Sequence, residues 1–173
     1  MTNQTTNSQL NPQHQDAPAE ETYGKSGEFD FLAGSWKISH RRLKASGSNE
    51  WEEFEGEATC WTVLGGRGSI EELRLSAHKV IGLGIRLLDV EKRLWLDYWV
   101  GSGSGVLTPP GMPGAFKNGV GTFEVDDVDD DQPIKVRGIW DRITPTSCRW
   151  HQTISRDGGN VWEENWFMDW VRV

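Results

Sequence analysis

The stretch that most constrains the fold is Arg149 to Trp170, RWHQTISRDGGNVWEENWFMDW. Two segments of alternating side chains flank Asp157-Gly158-Gly159, a signal for a tight hairpin turn. Pairing Ser155 with Val161 sets Trp150 opposite Trp166, Gln152 opposite Glu164 and Ile154 opposite Trp162. All six then share one side of the ribbon, because side chains along a strand alternate between faces. That side is aromatic, with an amide and a carboxyl set into it. The other side, with Arg149, His151, Thr153, Ser155, Glu163 and Asn165, reads as solvated. A wall of indoles holding two polar groups suits the inside of a small ligand-holding barrel.

The rest of the chain continues in the same manner. Strands are expected over 35–44, 51–64, 69–75, 78–89, 92–101, 119–126 and 134–143, with turn-rich breaks between them. No helical stretch of any length occurs, and twenty glycines argue against a bundle. The pattern predicts an all-β chain, an antiparallel barrel or sandwich of about nine or ten strands. Phe29 to Leu32 reads as a single helical turn that plugs one barrel end. In the second strand Phe54, Ala58 and Cys60 oppose Glu53, Glu55 and Glu57, and the switch to Trp61 and Val63 predicts a bulge near Thr59. The segment 102–114, SGSGVLTPPGMPG, reads as a long rim loop of the kind that forms lids. The acidic run 126–131 lacks EF-hand spacing and reads as a solvated turn.

The 173 residues suffice for one domain with a real core. Residues 1–26 are polar and without period, which predicts a disordered tail before a barrel domain over 27–173. A formal charge of −8 and no basic stripe exclude a general nucleic-acid role. No apolar run has membrane-spanning length, so no membrane partner is expected, and no secretory signal is visible. The expectation is a soluble cytoplasmic protein with Cys60 and Cys148 reduced and buried, a disulfide between them being left open. No zinc-type spacing occurs, so no metal is expected.

These residues carry a resemblance. Phe29-Asp30-Phe31-Leu32-Ala33-Gly34-Ser35-Trp36 resembles the FDFxxGxW opening of a bacterial lipocalin-like family of mostly uncharacterised proteins. Its Gly-x-Trp core is similar to that of lipocalins and the wider calycin group. The similarity runs on through KNGVGTF at 117–123, IKVR at 134–137 and the Asp157-Gly158-Gly159 hairpin to Trp166. It implies a single calycin/lipocalin-like β-barrel. It also implies that Trp36 closes the base and stacks on a basic side chain of the last strand, here Arg172. Such barrels host carriers, haem proteins, isomerases and decarboxylases, so the resemblance implies the fold and leaves activity open.

Extending the hairpin register upstream pairs Arg142 with Cys148, Trp140 with Trp150 and Gly138 with Gln152. The leading expectation is a small, largely apolar, aromatic ligand inside the barrel. Trp140, Trp150, Trp162 and Trp166 would supply contact area; Arg142, Gln152 and Glu164 would orient it. The plainer reading of Glu164 is a carboxylate bonded to Gln152 and a buried indole. The alternative function is a metal-independent isomerase, cyclase or lyase in the same cavity, with catalytic Glu164 or His40 moving a proton. His40 shares a strand face with Trp36 and Ile38. A haem barrel through His151 is disfavoured by that residue's outward register. No other cofactor is implied. The strand 92–101 is apolar on both faces, which leaves room for a homodimer interface. The glycine-rich 101–105 segment lacks the strand–helix elbow of a hydrolase, and Gly65-Gly66-Arg67-Gly68 lacks the lysine and helix of a phosphate loop.

Overall fold

A computed structural model describes residues 23–45 and 48–173. Ten antiparallel strands close into one barrel: β1 (Gly34–Leu43), β2 (Trp51–Val63), β3 (Gly68–Leu75), β4 (Val80–Asp89), β5 (Leu94–Gly101), β6 (Met112–Lys117), β7 (Val120–Asp129), β8 (Gln132–Asp141), β9 (Ser147–Ser155) and β10 (Glu163–Arg172). Spatial neighbours follow chain order, and β1 pairs with both β2 and β10, so no strand is left with an open edge. No described helix is long and apolar enough to cross a membrane.

Alternation sets the inside. Trp36, Ile38 and His40 of β1 are buried between exposed neighbours, and Phe54, Ala58 and Cys60 do the same on β2. One barrel end is shut by a 3₁₀ turn at Asp30–Leu32. Phe29, just before it, sits edge-on to Trp95, Phe116 and Trp140. Trp36 Nε1 donates to Leu32 O at 2.7 Å, and the Arg172 guanidinium lies 4.2 Å over the Trp36 ring. Arg172 also donates to Phe31 O, Ala33 O and Pro145 O at 2.6–2.9 Å. The first strand, the last strand, the plug and the β8–β9 turn are thereby joined by one side chain.

Several expectations change. The rim segment 102–114 is shorter as a loop, because its last residues open β6, which pairs with β5 at only three positions. No bulge lies near Thr59: β2 holds one register against β1 and β3, and Trp61 and Val63 point outward with the glutamates. The irregularity falls instead in β10, between Glu164 and Trp166, where Asn165 is the extra residue. It moves Trp166 opposite Gln152 and Met168 opposite Trp150, so Trp150 and Trp166 meet diagonally rather than face to face. The β8–β9 pairing does set Trp140 opposite Trp150 and Gly138 opposite Gln152.

Cys60 and Cys148 are both buried and free, and burial pushes each thiol up to about 12. Residues 23–26, assigned to the tail from sequence, are held: Gly24 N donates to Arg93 O at 2.6 Å, and Arg93 lies 3.6 Å over the Tyr23 ring. The rest of the expected tail lies outside the described residues. Replacing Arg172 by Met should lower unfolding free energy by about 2–4 kcal/mol, read by urea denaturation, since three carbonyls and a ring face lose one cation. Lysine should recover little of it, because a single ammonium cannot span the same three acceptors.

Candidate functional site

The barrel end opposite the plug is open. There β1, β7, β8, β9 and β10 surround a cavity of about 640 Å³. Ile134, Val136 and Ile154, inward on β8 and β9, form its aliphatic side. Trp166 adds an indole, held edge-on by Trp150 with ring centroids 5.7 Å apart. The polar members include Arg42, Gln152 and Asn165, and Asp127, Asp129, Glu163 and Glu164 add four carboxylates to the lining. Arg42 lies 5.0 Å over the Trp166 ring and pairs with Glu52 at 2.8 Å. Gln152 Nε2 donates to Asn165 Oδ1 at 3.3 Å. The bulge at Asn165 is what brings that amide into reach.

Beneath Trp166 lies His40. Trp166 Nε1 donates to His40 Nδ1 at 3.2 Å, which fixes the neutral ring with its proton on Nε2. His40 stacks on Phe54 at 4.6 Å, and Nε2 lies against Gly56, where a Cβ would come within 2.6 Å of it. Burial, with Arg42 and His78 nearby, lowers the His40 pKa to about 4. His78 meets the other side of Phe54 edge-on, and its Nε2 is 3.9 Å from Glu52.

Deeper still is a charged cluster with no counterpart in the sequence expectations. Arg86 of β4 donates to Glu71 of β3 at 2.6 Å, and its Nε lies 3.5 Å from Asp97 of β5. The guanidinium rests 5.0 Å over Trp140 and 5.3 Å over Phe29. Burial raises Asp97 to about 6 against the pull of Arg86, and the two carboxylates hold Arg86 charged despite its own burial. A signal existed. Gly82, Gly84 and Arg86 share one parity of β4, and Ile81, Leu83, Ile85 and Leu87 share the other. The glycines leave inward room that a buried guanidinium and its partners fill.

The expected site residues divide. Trp166 and Gln152 line the cavity, with Trp150 packed behind Trp166. Trp140 is inward but deep, in the aromatic floor beside Trp170. Three residues expected inward are not. Arg142 is exposed, because the chain leaves β8 there with a left-handed φ of 50°. Trp162 precedes β10 and lies outside the wall, stacked 3.7 Å from the Arg137 guanidinium, its Nε1 donating to Gly159 O. Glu164 stands before the bulge, opposite Thr153, and its carboxylate bonds outward to His151 Nδ1 at 2.9 Å, touching the cavity only at the rim. Glu164 and His40 are therefore on opposite faces of the wall and form no acid–base pair. His151 is also on the outer face, buried beneath Phe167 with its Nε2 3.7 Å from Asp141. Arg42 and Asn165 were missed, because only the cross-strand register reveals that they meet Trp166 and Gln152. Among the described residues no group of His, Cys, Asp and Glu is placed to hold a metal.

His40 and Asp97 give opposite pH dependences. Between pH 4 and 6.5 the unfolded chain binds a His40 proton that the folded chain refuses, so this residue makes stability rise with pH. Between pH 4 and 6 the folded chain keeps an Asp97 proton that the unfolded chain releases, so this residue makes stability fall with pH. Urea unfolding across this range should show stability falling with pH in His40→Gln relative to the parent protein. It should rise in Asp97→Asn, each slope changing by up to about 1 kcal/mol per pH unit.

No protein-family profile matches this chain. No characterised protein matches it by sequence. Among solved structures, the S-type phycobiliprotein lyase CPES from Guillardia theta has the same barrel, with a TM-score of 0.53 over 86% of this chain and 93% of that one. The two share 13% sequence identity, so the likeness is one of fold.

Proposed function

We propose that this protein binds a small, largely apolar, aromatic molecule in the open end of its barrel. The observation that carries the reading is the cavity of about 640 Å³, with Ile134, Val136, Ile154 and Trp166 as its apolar wall and Arg42, Gln152 and the carboxylates of Asp127, Asp129, Glu163 and Glu164 as its polar lining. That volume falls within the range of small-molecule pockets, and a few polar anchors on an apolar wall are their usual make-up. The aliphatic group and Trp166 supply contact area. Arg42, already held by Glu52, offers its charge to an acceptor on the ligand, and Gln152 offers an amide. A barrel of the same fold serves as a phycobiliprotein lyase, which is compatible with a ligand site of this kind.

The proton-transfer alternative has less support. Glu164 is engaged outside the wall, and the neutral His40 ring accepts from Trp166 through Nδ1 while Nε2 faces Gly56. Haem through His151 has less again, since both ring nitrogens face carboxylates on the outer surface.

The test is a fluorescence titration with 1-anilinonaphthalene-8-sulfonate, an aromatic anion matched to Arg42 beside an apolar wall. Saturable binding is expected. Ile154→Glu and Trp166→Ala should each weaken it about tenfold or more, as loss of a stacking or apolar contact in a pocket requires. Glu164→Gln should leave it within about twofold, a margin below half a kcal/mol. Binding that ignores Ile154→Glu and Trp166→Ala would move the ligand elsewhere.

A further inference from the structure

The outer face of β3, β4 and β5 is apolar where the rest of the barrel's surface is charged. Strand pairing lines up Trp61, Ile70, Ile85 and Tyr98 in one transverse row across β2 to β5. Leu83 and Leu87 flank that row on β4, and both are exposed, as is Trp61 at 48%. Elsewhere the outward positions hold ion pairs, such as Arg137 with Glu124 and Arg149 with Asp141. The polarity of β4 is inverted, with Arg86 inside and leucines outside.

Three observations say what covers this face. Its continuity is the first. Ile81, Leu83 and Leu87 follow one another on the outer side of β4 and are 37–49% exposed, with Trp61 at 48% in the row beside them. A contiguous exposed apolar surface of this kind marks a protein–protein contact. Charge is the second. A chain of net charge −8 resists meeting its own kind, and repulsion is least where the surface carries no net charge. The charged side chains that cross the face, Glu72 and Arg74, are of both signs and 2.7 Å apart, so a two-fold axis can present each to its opposite. The third is the chain outside the described residues. It joins the barrel at Tyr23, beside the β4–β5 turn, but residues 1–22 are polar, with Leu10 and Met1 their large apolar side chains. That composition is a poor complement to a row of Trp, Ile and Tyr.

We propose that the protein is a two-fold homodimer in which the outer faces of β3–β5 pack against each other. This surface is separate from the open-end cavity, so the two readings stand or fall independently. Sedimentation velocity of the full chain from 1 to 100 µM should show a species of twice the 19.5 kDa chain mass. Leu83→Lys and Leu87→Glu, on the exposed side of β4, should each raise the concentration for half-dimerisation at least tenfold, with far-ultraviolet dichroism and probe binding unchanged.

A chain of single mass at every concentration overturns the proposal, and so do folded variants that remain dimeric. A monomer that floats with phosphatidylcholine vesicles overturns it too, and gives the face to lipid. Should the variants fail to fold, carbene footprinting of the unaltered protein replaces them. Labelling of Trp61 and Leu83 should fall as the dimer forms, and protection confined to another face overturns the proposal.

Discussion

Arg172 joins four segments that lie far apart in the chain: the plug through Phe31 and Ala33, the first strand through Trp36, the β8–β9 turn through Pro145, and the last strand on which it sits. Closure of a barrel requires its terminal strands to meet in register, an entropic cost that no local turn can offset. Here the register of β1 against β10 ends with Trp36 opposite Arg172, so the contact that caps the base also fixes the seam. Everything toward the open end follows from that seam, including the meeting of His40 with Met168 and Arg42 with Trp166.

The interior is layered by polarity. The floor is aromatic, with Phe29 and Trp140 against Arg86 and Trp95 and Trp170 packed on those two rings, and the open end sets an aliphatic group and Trp166 among Arg42, Gln152 and several carboxylates. Buried ion pairs contribute little net stability, because desolvation opposes the Coulomb gain. What Arg86 does is bind three successive strands to one register. Slipping β4 by one residue would turn Arg86 outward and leave Glu71 and Asp97 buried without a cation. A neutral floor of the same size would hold the core as well, but it would not distinguish that slip.

The strand-and-turn pattern was legible because turn residues and alternation are local. The plug and most of the strands follow from it, whereas the Trp36–Arg172 contact was implied by the resemblance of the FDFxxGxW opening to lipocalin-like chains. Nine or ten strands were expected, and the uncertain one was β6, whose Gly and Pro residues mask a short strand with three partners. The site was legible only in part. Gln152 and Trp166 reach the cavity because their parity survives the shift in β10, while Glu164 does not, since a bulge one residue later reverses its face. Arg142 was lost to a left-handed backbone that no neighbouring glycine announced. Arg86, Glu71 and Asp97 lie on different strands, and their meeting is a property of pairing, invisible to any one segment.

The extra residue at Asn165 gives the open end a particular kind of adjustability. Substitution at the rim trades one side chain for another in place. Losing Asn165 would leave Glu164 opposite Thr153 and Trp166 opposite Gln152 as consecutive rungs of an unbroken ladder, while the seam at Trp36–Arg172 stayed shut. Glu164 would keep its outward face and its bond to His151, and Gln152 would lose the amide that now accepts from it. A single codon deletion would thus free the Gln152 amide for a ligand and flatten the strand at the rim, with the base of the barrel untouched.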